Sequence, residues 1–321
     1  MSRALTEERT PLYEATLRSL QAEVKELPAV WLYDEHGSRL YEEITRLPDY
    51  YLPRREGEIL RARAAGIAKR TQARMLVELG AGNAKNIRLL LDALESAGTL
   101  ERFVPLDVSE QTLRASAEAI AAAYPRISVE PIVGDFERDL DLLPEGGWRL
   151  VAFLGSTIGN LYPDQRSRLL TALADALAPG DALLVGVDLV KDVARLKAAY
   201  NDPQGVTELF VRNALTAVNR ELDATFDQRR FLYGAHWDPE HEWMDIGFRA
   251  REAHAVSIRR LGIELTFERD EPLRVEVSSK FRRESFELEA ALAGLRVESW
   301  WTDRAGDFAV ALLFPERFAG S

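Results

Sequence analysis

The sequence predicts an α/β protein built on a doubly wound, largely parallel sheet, with a second domain inserted into it. Three observations carry that expectation. A short apolar run, Met75-Leu76-Val77-Glu78-Leu79, leads through Gly80-Ala81-Gly82 into a stretch with helical spacing, the strand, turn and helix that open a nucleotide site. The alternation of apolar runs and amphipathic stretches then continues to about residue 189, as parallel crossover units require. Two more strand-like segments close the chain within residues 295–314, separated by a turn at Arg304-Ala305-Gly306. They read as an antiparallel hairpin.

Residues 1–54 lie outside the alternation. Leu17, Leu20, Val24 and Leu27 are spaced for one amphipathic helix. Tyr33, Tyr41, Tyr50 and Tyr51 crowd the segment that follows, and Pro48 and Pro53 bracket the last pair, predicting an irregular, rigid stretch. A helix from Glu56 then leads into the strand at 75–79, which is too short for a helix and suits a buried parallel strand. After the glycines, Asn83 reads as an N-cap, Ile87, Leu90, Leu91 and Leu94 share a helical face, and Gly98 is the stop.

Which nucleotide binds is narrowed by what is missing. Lys85 stands where a dinucleotide fingerprint, G-x-G-x-x-G, needs its third glycine, and no G-x-x-x-x-G-K-S/T occurs. This disfavours a nicotinamide oxidoreductase. The form E-x-G-x-G, with Glu78 two residues before Gly80, resembles motif I of class I S-adenosylmethionine (SAM) methyltransferases, whose glycines accommodate the methionine part of the cofactor.

A second strand, FVPLDVS, carries Asp107, which lies 25 residues beyond Gly82. A carboxylate there can accept from both vicinal hydroxyls of a ribose. A third, ISVEPIVGDF, ends in Gly134-Asp135-Phe136; in SAM enzymes the acidic residue takes the adenine amino group and its neighbour packs on the ring. The fourth ends in Gly155-Ser156-Thr157-Ile158-Gly159-Asn160. The Asp/Asn-Pro-Pro-Tyr box of enzymes that methylate nucleobase amines is absent from that position. ALLVGVDLV is the fifth. Between residues 190 and 280 the pattern changes to two or three helices, then several strands with turns at Asp238-Pro239 and Asp270-Glu271-Pro272. The Trp300-Trp301 pair reads as sheet packing.

Bulk properties bound the function. The 321-residue chain is 46% hydrophobic and 29% charged, as in an ordinary soluble globular protein, and 52 acidic against 41 basic residues give a net charge of −11. That balance supplies no footprint for nucleic acid or an anionic membrane. Without cysteine there is no disulfide, thiolate metal site or cysteine nucleophile. The N-terminus lacks the apolar core of a signal peptide, and no run of about 18 apolar residues occurs. These features predict a cytoplasmic protein, and no heptad seam demands a partner, so a monomer is expected. His236, Asp238, Glu240, His241 and Glu242 could suggest a metal cluster, but Asp-Pro-Glu-His reads as a hairpin turn, with no helical H-x-x-x-H pair. No metal is expected.

Read together, LYDEHGSRLYEEITRLPDYY, LVELGAG, FLGSTIGN, LVKD, NREL, VEVSSKF and WWTD-x-x-GDF resemble the histidine Nα-methyltransferases of the ergothioneine pathway across nearly the whole chain. That resemblance implies a class I SAM-methyltransferase, Rossmann-like domain at 55–189 and 281–321. A second, α+β substrate-binding lid domain would be built from 1–54 and the 190–280 insertion. It implies SAM as cofactor, L-histidine as substrate and hercynine as product, after three methyl transfers. Gly80, Gly82, Lys85, Asn86, Asp107, Asp135 and Phe136 would hold SAM. Tyr50, Asn160 and Tyr200 would hold the amino acid's amine and carboxylate, with Gly155 in the same loop as Asn160. Glu276 and Ser278 would recognise the imidazole, with Thr207 nearby and Tyr33 facing the amine. Tyr33, Tyr50 and Asn160 are thus the catalytic candidates. Two departures stand out. The loop after the glycines reads NAKNIR where the family has a serine and then a lysine followed by threonine, so that Lys85 sits one place early and Asn86 fills the lysine position. Ile246 occupies a site expected to be methionine.

The residues agree with that chemistry. Methyl transfer from a sulfonium to an amine is an in-line displacement that disperses positive charge, so alignment and a dry pocket are the protein's main contributions. No lysine or histidine among the candidates is an evident strong base; tyrosine hydroxyls, water or bulk solvent can take the protons. Glu276 and Ser278 lie two apart between Val275 and Val277, so on a strand both project from one face. Methylation of another amino acid, or a SAM-binding regulator without catalysis, are the rival readings.

Overall fold

The structure, a computed structural model, describes residues 10–82 and 85–316. In chain order its elements are α1 (Pro11–Leu20), β1 (Lys25–Glu26), α2 (Glu35–Ile44), α3 (Leu52–Thr71), β2 (Met75–Leu79), α4 (Ile87–Ser96), β3 (Arg102–Asp107), α5 (Glu110–Ala123), β4 (Ser128–Val129), β5 (Ile132–Val133), β6 (Arg149–Phe153), α6 (Pro163–Ala176) and β7 (Ala182–Asp188). There follow α7 (Val193–Tyr200), α8 (Val206–Leu222), β8 (Phe231–Asp238), β9 (Trp243–Ala250), β10 (His254–Ile258), β11 (Ile263–Phe267), β12 (Pro272–Ser279), α9 (Arg283–Leu292), β13 (Leu295–Thr302) and β14 (Phe308–Pro315).

The chain divides into two compact units. One comprises Tyr50–Asp192, Pro239–Trp243 and Ser278–Ser321. Its sheet runs β13-β14-β7-β6-β2-β3-β4, with β5 also paired to β3. The pairs from β7 to β5 are parallel, and β14 is antiparallel to both β7 and β13. This is the doubly wound sheet with a closing hairpin. The residues of β2, β6 and β7 are buried throughout, because helices cover both faces of a parallel sheet. Leu79, Leu106, Phe153, Val185 and Ala311 lie in its core, and Trp300 packs against it, with its ring 5.7 Å from Phe286.

The other unit comprises Met1–Asp49, Val193–Asp238 and Met244–Val277. Its main sheet runs β1-β12-β9-β8, and β10 and β11 form a separate antiparallel hairpin. Gly247 permits the close approach of β9 to β12, since a Cβ there would stand 2.3 Å from the Leu273 carbonyl oxygen. Phe231 sits among Phe248, His254 and Phe267 at centroid distances of 6.1, 5.0 and 5.3 Å.

Several local expectations need correction. The first helix ends at Leu20, and Val24 lies outside it and is exposed. Lys25 and Glu26 instead pair in parallel with Leu273 and Arg274, so sheet bonds replace helical ones. The helix placed from Glu56 starts at Leu52, with Pro53 in its first turn, where a missing N–H costs nothing. The third strand is two short pieces on either side of Pro131, which has no N–H to give the ladder. The 87–96 helix begins after Asn86; the expected cap, Asn83, lies outside the described residues. Among the described residues no helix is long and apolar enough to cross a membrane.

Candidate active site

At the end of β2 the backbone turns through Gly80 and Gly82 with φ of 68° and 44°, a region that strains any residue with a Cβ. A Cβ on Gly80 would meet Phe136 Cε1 at 3.8 Å and Thr157 Cγ2 at 3.9 Å. The loops after β2, β5 and β6 therefore converge on one spot. The Gly82 N–H donates to Asp107 Oδ2 at 3.0 Å and the Ser109 N–H to Asp107 Oδ1 at 2.8 Å, which fixes the carboxylate at the end of β3. Phe136 packs on Phe153, with ring centroids 5.0 Å apart, and Asp135 Oδ1 accepts from the Glu137 N–H at 2.9 Å. Five of the expected cofactor residues are thus gathered at the carboxyl edge of the sheet, where open α/β folds bind ligands. Lys85 is exposed. The Asn86 amide donates to the Pro53 carbonyl at 3.0 Å and to Glu56 Oε2 at 2.8 Å, so it faces the first turn of α3.

Beneath this edge lie two carboxyls. Glu56 is 2% exposed and its Oε1 accepts from the Gly155 N–H at 2.7 Å. Burial raises its pKa to about 7, against the pull of the hydrogen bonds from Asn86 and Gly155. Burial also holds Glu78 well above the usual carboxylate range, with the charges of Glu56 and Asp107 adding to the effect. Glu78 Oε2 has no hydrogen-bond partner among the described residues. An unpartnered carboxyl oxygen under a glycine turn is the kind of buried polar atom that a functional site leaves to be completed, and with Asp107 and Phe136 nearby the residues fit SAM.

The loop after β6 is braced from two sides. Gly155 and Ser156 both have positive φ, 73° and 60°. Glu56 holds the Gly155 N–H, and Ser156 Oγ accepts from the Asp188 N–H at 2.9 Å. A 3-10 turn over Thr157–Asn160 follows. A Cβ on Gly159 would lie 2.9 Å from the Ser279 carbonyl oxygen, so the turn bearing Asn160 sits directly on the backbone next to Ser278. Ser278 is buried at the end of β12, and Tyr50 is buried ahead of α3.

The remaining candidates belong to the other unit. Tyr33 follows a 3-10 turn, and its ring lies 5.5 Å from Phe210, one helical turn along α8 from buried Thr207. The Thr207 N–H is capped by Asp202 Oδ1 at 2.8 Å. Ile246 on β9 is buried, on the strand next to the one carrying Glu276. Glu276 is half-buried between buried Val275 and Val277, as alternation predicts. Tyr233 donates to the Tyr200 carbonyl, and burial together with the Glu276 charge raises its pKa. Tyr200 and Glu276 thus share a neighbour in Tyr233, which the sequence reading did not single out.

Residues 12–315 match the model of a family described as histidine-specific, SAM-dependent methyltransferases. The chain belongs to that family. It is 49% identical over 293 residues to a protein of Mycobacterium tuberculosis named histidine N-alpha-methyltransferase, and 50% identical to one of the same name from Mycolicibacterium smegmatis; 91% of each chain is covered in both cases. It is also 31% identical to ergothioneine biosynthesis protein 1 of Neurospora crassa, covering 92% of this chain and 34% of the fungal one.

Within this methyltransferase, the sequence reading missed Glu56 and the lysines around Asp188. Glu56 had a visible signal: it shares a helical face with Ile59 and Leu60, both buried, and a carboxylate on such a face needs a partner. The 236–242 run is the end of β8 and the turn into β9, in which His241 stacks on Trp243 at 4.3 Å and Glu242 pairs with Arg282 at 2.7 Å. Among the described residues no group of three His, Asp or Glu could hold a metal ion.

Proposed function

We propose that this chain transfers three methyl groups from SAM to the α-amino group of L-histidine, giving hercynine, the first step of ergothioneine biosynthesis. The observation that carries this reading is membership of the histidine-specific family, with about half of the residues identical to two proteins named for that activity.

SAM supplies a methyl group on a positively charged sulfur. Gly80 and Gly82 leave room for its methionine part, with Lys85 and Asn86 beside them in the loop. Asp107 accepts from the ribose hydroxyls, Asp135 takes the adenine amine, and Phe136 packs on the ring. Tyr50, Asn160 and Tyr200 hold the amine and carboxylate of histidine, Tyr33 faces the amine, and Gly155 keeps the Asn160 turn in place. Glu276 accepts from an imidazole N–H and Ser278 meets the other ring nitrogen, with Thr207 and Ile246 shaping the pocket. The amine must arrive neutral with its lone pair on the methyl axis, so orientation is the residues' main contribution. The product is a quaternary cation without a lone pair, which ends the reaction at three transfers.

Incubation with SAM and each of the twenty amino acids, read by mass, tests the substrate. Only histidine is expected to gain three methyl groups. Methylation of a different amino acid with histidine untouched would reject the assignment, and SAM binding without any product would favour a regulator.

A further inference from the structure

Asp188, at the end of β7, is a fully buried carboxylate that faces two lysines. Lys280 Nζ lies 2.9 Å from its Oδ2, with both side chains 0% exposed. Lys191 Nζ donates to Oδ1, and the Tyr51 hydroxyl donates to Oδ2 at 2.9 Å. Two ammonium groups share one carboxylate away from water. One ion pair does not offset the desolvation of the second lysine, and burial lowers Lys191 to about 8 even beside Asp188. The Asp307 charge also reaches Lys191, and Lys280 brings a second buried charge to this cluster.

The second bond of Lys280 gives that charge a task. Its Nζ lies 2.8 Å from Ser278 Oγ. An ammonium has three donors and no acceptor, so the serine oxygen is the acceptor here and its single proton is turned away from Lys280. The positive potential at that oxygen further favours an acceptor as the next partner of the hydroxyl over a second donor.

We infer that Lys280, anchored by Asp188, is a positioning residue that makes the Ser278 hydroxyl a hydrogen-bond donor and so selects a substrate ring nitrogen with a free lone pair. The inference rests on the proposed contact between Ser278 and the imidazole. Neutral imidazole carries one such nitrogen; an indole carries only an N–H, and a phenyl ring offers neither. Lys280 thereby discriminates histidine from the other aromatic amino acids through an atom it does not touch. Removing it leaves Asp188 bonded to Lys191 and Tyr51.

The test is steady-state kinetics on Lys280→Met, Ser278→Ala and the double variant, with SAM affinity measured by calorimetry. Lys280→Met is expected to raise the KM for histidine about tenfold or more, the scale of a charge-assisted hydrogen bond. Its kcat should change less, because the contact is remote from the reacting amine, and SAM affinity should stay at the wild-type value. The double variant should be no worse than Ser278→Ala, since the lysine acts through the serine. Lys280→Gln, which keeps an N–H donor without the charge, should fall between Lys280→Met and wild type. Additive losses, or SAM affinity falling with histidine affinity in both Lys280 variants, would mark a structural lysine and overturn the inference. A wild-type KM in Lys280→Met beside a raised one in Ser278→Ala would overturn it alone. A wild-type KM in Ser278→Ala would overturn the imidazole contact and the inference together.

Discussion

Replacing Glu56 by glutamine should flatten the dependence of stability on pH. The Glu56 carboxyl titrates at about 7 in the folded chain against an ordinary value of 4.5, chiefly because it is buried. The folded chain therefore holds a proton through a window in which the unfolded chain has released it. The stability this lends is fully present below about pH 4.5 and is lost as pH rises to about 7. At 1.36 kcal/mol per tenfold change, the gap corresponds to about 3 kcal/mol. Glutamine stays neutral throughout. Its carbonyl can still accept from the Gly155 N–H, while its NH2 faces the Asn86 amide, which donates to both Glu56 Oε2 and the Pro53 carbonyl; the bond lost there lowers stability at every pH and leaves the slope to report the proton. Denaturant unfolding of both proteins from pH 4.5 to 7.5 measures the effect. Wild type should lose up to about 3 kcal/mol more than Glu56→Gln across that window. The comparison cancels shared groups other than Glu78, whose carboxyl feels the Glu56 charge, and parallel curves would refute the buried-proton argument.

Other substitutions probe the cofactor, the substrate and the packing between them. Asp107→Ala removes charge-assisted bonds worth about 1.5–3 kcal/mol each and should weaken SAM by about tenfold or more; unchanged affinity by calorimetry in a folded variant would show that the ribose lies elsewhere. Glu276→Ala should lower kcat/KM for histidine by roughly thirty- to two-hundredfold while leaving SAM affinity alone, with weaker discrimination against apolar aromatic amino acids; unaltered histidine kinetics would place imidazole recognition on other residues. Gly159→Ala puts a methyl group 2.9 Å from the Ser279 carbonyl oxygen, so the Asn160 turn must shift. It should reduce kcat more than SAM affinity, and wild-type kcat would show that the turn tolerates displacement.

Local signals made much of the molecule legible in advance. The apolar run at 75–79, the glycines after it, and the acidic residues closing the next strands all depend on near neighbours in sequence. The antiparallel pair at the end follows from two strand patterns and one turn. What stayed hidden depends on distant partners. The first helix stops at Leu20 because Lys25 and Glu26 bond to Leu273 and Arg274, almost 250 residues away along the chain. The apolar face that Glu56 shares with Ile59 and Leu60 marks it as a carboxylate needing a partner, but only the fold shows that Gly155 and Asn86 are those partners. Lys191 lies three residues from Asp188, whereas Lys280 belongs to a separate motif and only the fold brings it to the same carboxylate. Pro131 is plain in the sequence, but alternation alone predicts one continuous strand there, which its missing N–H divides into β4 and β5.

The central claim, repeated methylation of one histidine amine, is tested most directly by stoichiometry. Purified protein is supplied with L-histidine and excess SAM, and demethylated cofactor and histidine-derived products are counted by mass spectrometry over time. The account predicts that mono- and dimethyl species rise and fall before a trimethyl product, with three demethylated cofactors formed per histidine consumed and no further transfer. A product that stops at one or two methyl groups, or methyls found on the imidazole ring, would contradict it.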